Sequence, residues 1–210
     1  MACVDRFDPG PQPSGRTPAP GRLGLVQAFT NSFWDLGRGG ADEWADVAGF
    51  RRWLRARGFA GEAAGAADRA RAVELREALR ALARRHHDAP HDPPDAPELA
   101  VLDALGRRGA LHLRFGGGDA HPRHAPAGDG PDAALALVLG VVAEAMAEGS
   151  WSRLKACPGP HCGWLFYDGS RNRSRQWCSM QLCGNRVKGR EFRARRRGGM
   201  AAPDALRPRT

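Results

Sequence analysis

The chain has 210 residues, 42% hydrophobic and 26% charged, a balance that excludes a wholly disordered or fibrous protein and allows one large domain or two unequal ones. Its net charge of +9 is concentrated at one end, because residues 151–210 carry 14 Lys+Arg against 3 Asp+Glu while residues 1–150 carry 18 against 20. A near-neutral body with a strongly basic end is the charge footprint of a polyanion binder, with nucleic acid ahead of an anionic membrane surface.

Residues 1–20 are rich in Pro and Gly and lack the apolar run of a secretory leader, so they are expected to form a disordered arm. The longest apolar run, Ala133 to Ala143, is shorter than the roughly 18 to 20 residues that span a bilayer, which predicts no membrane partner. Both features place the five cysteines in a reducing cytoplasm, where close spacing favours metal over disulfides.

Residues 21–150 read as a mainly helical domain with a small β element. Gly21 to Trp34 is an apolar segment that fits either a strand or a buried helix. Asp42 is placed to cap a helix reaching about Arg57, with Trp44, Val47, Phe50 and Leu54 along one face. From Asp68 to Arg85, Ala72, Leu75, Leu79 and Leu82 form an apolar stripe opposite a solvated Arg and Glu face. Glu98 to Leu105 predicts a short helix, and Leu111 to Phe115 alternates like a strand before the turn at Gly116 to Gly118. Pro131 opens the last helix, apolar almost all round from Ala133 to Ala147. His86, His87, His91, His121 and His124 fall in loops and are expected to be solvated.

Residues 151–197 carry the chemistry. Cys157 and Cys162 are separated by four residues, as are Cys178 and Cys183, with fifteen between the pairs. Two such pairs read as one structural Zn²⁺ site, since four thiolates close a tetrahedral shell and leave no open position for water or substrate. His161 in place of Cys162, or two disulfides, are the competing readings, and Cys3 is left without a partner. Pro158, Gly159, Pro160 and Gly163 suit a tight knuckle, Gly184 a close backbone approach to the metal, and Trp164, Phe166 and Tyr167 a small apolar pad.

Arg186, Arg190, Arg193 and Arg197 follow at steps of four, three and four, which stacks them on one face of a helix. Lys188, Arg195 and Arg196 widen that basic surface, Arg171, Arg173 and Arg175 add a second element, and Met180, Cys183 and Val187 are expected to face the metal. Guanidinium forks clamp phosphates or pair with guanine, so these ten residues are the candidate DNA contacts. Residues 198–210 are expected to be a flexible tail.

The stretch CPGPHCGWLFYDGSRNRSRQWCSMQLCGNRVKGREFRARRR resembles the CGNR-type zinc finger, named for the tetrapeptide that stands here as Cys183-Gly184-Asn185-Arg186. The preceding body, with Phe29-Thr30-Asn31 and the helix DEWADVAGFRRWLRARG, resembles the mostly helical ABATE-type domain of bacterial stress-induced transcription regulators. The resemblance implies one zinc on Cys157, Cys162, Cys178 and Cys183, and duplex DNA as partner. The resulting expectation is a DNA-binding transcription regulator whose body senses an unidentified small-molecule effector. RNA binding or protein contact is the alternative, and no nucleophile, base and orienting group stand at a spacing that predicts an enzyme.

Overall fold

The computed structural model describes residues 6–34, 41–88, 96–115 and 121–198. Cys3, His91, the Gly116 to Gly118 turn and the tail from residue 199 lie outside the described residues. The protein is mainly helical with two small antiparallel hairpins. In chain order come α1 (Leu23–Thr30), α2 (Val47–Ala56), α3 (Ala66–Arg85), α4 (Pro97–Gly106), β1 (Leu111–Arg114), β2 (Arg123–Pro126), α5 (Pro131–Ala147), β3 (Leu154–Ala156), β4 (Leu165–Tyr167) and α6 (Asn185–Gly198).

The ambiguous segment after Gly21 is α1, and all eight of its residues are buried. A helix apolar all round must be enclosed, and α1 packs on α3 and α5. Beside it, Phe29 meets Trp44 and Trp53 edge to face at centroid distances of 4.9 and 5.6 Å, in a cluster that also takes Phe50. β1 pairs with β2 from Leu111↔Pro126 to Arg114↔Arg123, and this hairpin lies against α5.

Several expectations are corrected. Asp46, not Asp42, caps α2, its Oδ1 accepting from Gly49 N at 2.6 Å. Asp42 instead shapes the turn that buries Trp44, accepting from Trp44 N at 2.9 Å and from Arg76 Nη1 at 2.9 Å. Burial works against the Asp42 charge, but the hydrogen bonds from Arg76 and the Trp44 N–H outweigh it and hold its pKa below the usual value. Second, the polar face of α3 is not all solvated: Arg76 and Arg80 are 3% and 2% exposed. Arg76 lies over the Trp44 ring at 4.9 Å and pairs with Asp42, so its charge is matched where it is buried.

Third, His86 is buried, its Nδ1 2.7 Å from Leu154 O, and His87 Nε2 lies 2.8 Å from Ala156 O. His124 Nδ1 lies 3.1 Å from Glu144 Oε1. Fourth, residues 6–20 are not a loose arm. Arg6 Nε donates to Arg57 O at 2.8 Å, Ala19 is buried, and its N–H donates to Gln27 Oε1 at 2.8 Å. The Phe7 carbonyl sits so close to α1 that a Cβ on Gly24 would come within 2.1 Å of its oxygen. Composition suggested disorder because the arm has few apolar side chains, yet its polar groups find partners on the body.

The expected division at 150/151 falls inside one core. Trp151, Leu154, Ala156 and Leu165 belong to the same buried cluster as Phe29, Leu79 and Val141.

Candidate metal centre and basic helix

β3 carries Cys157 at its end, and β4 returns beside it with Leu154↔Tyr167, Lys155↔Phe166 and Ala156↔Leu165 in register. Between the strands the chain turns through left-handed residues at His161, φ 67°, and Gly163, φ 66°. Cys157 N donates to Trp164 O at 2.8 Å and Cys162 N to Gly159 O at 2.9 Å, closing the knuckle. The second pair spans a tight turn, Met180–Gly184, whose N-terminus Ser179 caps by accepting from Leu182 N at 3.2 Å.

These two turns bring the four sulphurs within 4.8 Å of one another, and Cys157, Cys178 and Cys183 are buried. Cys178 Sγ lies 3.6 Å from both Cys162 Sγ and Cys183 Sγ. A disulfide requires about 2.05 Å, so the thiols are free. Sulphurs held about 2.3 Å from a tetrahedral ion are separated by about 3.8 Å, so this donor set fits one such ion. Gly159 lies directly over them: a Cβ there would sit 3.1 Å from Cys183 Sγ and 3.4 Å from Cys157 Sγ. His161 is exposed and does not join the cluster.

Hydrogen bonds from Cys162 and Cys178 hold the Cys157 thiol down to about 2, and the shared bond with Cys157 pushes Cys162 up to about 12. Cys178 is pushed up by the same hydrogen bonds and Cys183 by burial. Four crowded thiols therefore share few negative charges until a cation displaces their protons.

Phe166 is fully buried against Cys157, Cys178 and Cys183, flanked by Trp164 and Trp177. Tyr167 packs on the main core instead. Gly184 faces Met180 rather than the sulphurs: an added Cβ would lie 2.3 Å from Met180 Sδ and 3.1 Å from Trp177 Cδ1. Met180 itself is 41% exposed, so it leaves the expected metal-facing stripe, in which Cys183 is buried and Val187 half-buried.

The body grips this knuckle through polar side chains that no spacing in the sequence reveals. Asn31 pairs with Leu165 as a strand would, Nδ2 donating to Leu165 O at 2.9 Å and Oδ1 accepting from Leu165 N at 2.7 Å. Gln27 Nε2 donates to the same carbonyl at 3.1 Å. Arg80 reaches from α3 to the carbonyl oxygens of Gly163, Thr30 and Phe33, while His86 and His87 meet those of Leu154 and Ala156.

Asp168 and Lys155, 0% and 2% exposed, form a buried pair with Lys155 Nζ 3.2 Å from Asp168 Oδ2. Asp168 also accepts from Ser170 N at 3.0 Å and Arg175 N at 2.9 Å, and Lys155 donates to Arg173 O. This pair fixes the loop that bears Arg171, Arg173 and Arg175. All three are exposed, although Arg173 Nη1 donates to Ser152 Oγ at 3.0 Å.

On α6 the arrangement is the opposite. Arg186, Lys188, Arg190, Arg193, Arg195 and Arg196 are all exposed, and none of them forms an ion pair among the described residues. Arg196 lies over the ring of Phe192 at 5.8 Å, and Phe192 is itself 55% exposed. Arg197 follows on the last turn, its side chain outside the described part.

Two family models cover this architecture. The CGNR zinc finger model matches residues 153–196. The ABATE model, described as "Putative stress-induced transcription regulator", matches residues 23–149, more than half of the chain. The chain belongs to the ABATE family. In this member the ABATE match supplies α1 to α5 and the finger match supplies the four cysteines and most of α6, while residues 6–20 lie outside both. No curated protein matches the chain. No helix among the described residues is long and apolar enough to cross a membrane.

Proposed function

We propose that Cys157, Cys162, Cys178 and Cys183 hold one Zn²⁺ ion and that the finger, so folded, binds duplex DNA through α6 to regulate transcription. The ion's role is structural: four protein thiolates complete its shell, so it shapes the turn that launches α6 and offers no site for a reactant. The observation that carries the DNA reading is the set of exposed cations on α6 that form no ion pair among the described residues. Like charges at steps of three and four oppose each other along a helix, and an anionic partner relieves that cost.

Arg171, Arg173 and Arg175 supply a second basic element from the loop that Asp168 fixes, and Arg186, Lys188, Arg190, Arg193, Arg195, Arg196 and Arg197 supply the first. The ABATE body acts as the input side of the regulator, and the protein works as a binding module rather than an enzyme.

The test is duplex binding across a salt series by the wild type and the Arg190→Ala, Arg193→Ala double variant, with zinc content measured in both. Each lost phosphate contact flattens the log-log salt slope by about 0.9, so the double variant is expected to lose about 1.8. An unchanged slope and affinity in a zinc-loaded variant removes this face from the site. Tight binding to single-stranded RNA with little to duplex selects the RNA alternative, for which the exposed Phe192 offers a stacking surface. Binding to neither selects a protein partner.

A further inference from the structure

The N-terminal arm, which neither family match includes, places a cation beside the cysteine cluster. Arg16 sits with its guanidinium 5.1 Å from the centroid of Phe166, the ring packed against Cys157, Cys178 and Cys183. Its Nη1 is buried and has no hydrogen-bond partner among the described residues. Two residues earlier, Ser14 Oγ lies 2.7 Å from Ser179 Oγ, the hydroxyl that caps the turn carrying Cys183. Gln12 Oε1 accepts from Trp164 Nε1 at 3.2 Å and from Gln27 Nε2 at 2.8 Å, bridging knuckle and body.

A buried donor left idle is costly unless a negative charge lies nearby, and the half-buried Arg16 side chain brings one such donor to this spot. Four thiolates around a divalent ion carry a net charge of −2, the largest concentration of negative charge this part of the molecule would hold. Burial and the like charge of Arg175 lower the Arg16 pKa, while Cys178, Asp168 and Cys157 oppose that, so the sulphurs and Asp168 join the Phe166 ring as groups that attract this cation.

We propose that Arg16 is an outer-shell cation of the four-cysteine metal centre, and that the charge of the loaded centre clasps residues 12–19 onto the finger. The proposal rests on the reading of the cluster as a zinc site. Arg16 does not ligate the ion. It balances the charge of the ligands, and in return the metal decides whether the arm stays docked between α1 and the knuckle.

The experiment uses the full chain as wild type, Arg16→Ala and Arg16→Lys. Zinc content is measured first, then affinity by competition with a chromogenic chelator, then hydrogen–deuterium exchange of residues 6–20 before and after metal removal. Loss of an outer-shell partner is expected to weaken zinc by about tenfold in Arg16→Ala, with Arg16→Lys closer to wild type because the charge remains. The arm should exchange slowly in the loaded wild type, and quickly both in the metal-free wild type and in loaded Arg16→Ala, while α1 and α3 keep their protection. Wild-type zinc affinity in Arg16→Ala, or arm protection indifferent to metal, overturns the clasp while leaving the zinc site intact. A wild-type chain that holds no zinc overturns the site itself and the clasp with it.

Discussion

The two halves of the finger are built on opposite principles. The knuckle of β3 and β4 is held by the body at four of its backbone carbonyls and one N–H: Asn31 and Gln27 on Leu165, Arg80 on Gly163, and His86 and His87 on β3. Helix α6 sits beyond the second cysteine pair with its described cations in solvent. One half is positioned and the other is presented. The metal centre lies at the joint, drawing Cys157 and Cys162 from the held half and Cys178 and Cys183 from the turn that starts the free one.

The strongest way to break this contrast is to remove a ligand at the joint. Cys178→Ser is expected to abolish zinc binding and melt residues 176–198, since structural zinc is worth on the order of 10 kcal/mol in small domains. Slow exchange should persist in β3 and β4, because the body holds them independently of the metal. Equal loss of protection in both strands would show that the ion, not the body, secures the knuckle.

A smaller effect is expected from the clamp itself. Arg80→Ala leaves three carbonyl oxygens without this donor, while Glu77, 41% exposed, keeps Arg76; with a buried unpaired acceptor costing about 1 to 3 kcal/mol, the expected loss is about 3 kcal/mol or more. Chemical denaturation measures it, and a change below about 1 kcal/mol would show that Arg80 does not hold the knuckle.

Within the body, Asp42→Asn sharpens the comparison by its pH dependence. The folded pKa of Asp42 is lowered, so its contribution is fully present above the unfolded value of about 3.9 and is lost as pH falls through the folded value. The variant should be less stable by about 1 to 3 kcal/mol at neutral pH, with the gap closing in acid. A gap constant with pH would mean that the carboxylate charge is not what Arg76 uses. The smallest effect belongs to α6: Arg190→Ala with Arg193→Ala should leave stability within about 0.5 kcal/mol, because both side chains are exposed and make no ion pair among the described residues.

The sequence made the free half legible and hid the held half. Cysteine spacing located the cluster, and steps of four, three and four located the α6 cations, because both signals are local and periodic. α3 was readable for the same reason, and α5 from Pro131 and the local apolar run that follows it. The clamp is not local. Asn31 lies 134 residues from Leu165, and Arg80 lies 83 from Gly163, so no window contains both partners. Arg76 and Arg80 lay on what read as a polar face, and only the fold shows them matched by Asp42, Glu77 and backbone oxygens. The arm failed for a related reason: composition counts apolar residues, whereas Gln12, Ser14 and Arg16 dock through polar contacts to distant segments.

Hydrogen–deuterium exchange of the zinc-loaded protein, alone and with a short DNA duplex, tests the central claim most directly. The account predicts slow exchange in β3 and β4 in both states, with fast exchange in α6 alone that slows on the duplex. Duplex-induced protection confined to α1 to α5, with α6 unchanged in a protein that carries its zinc, would contradict it.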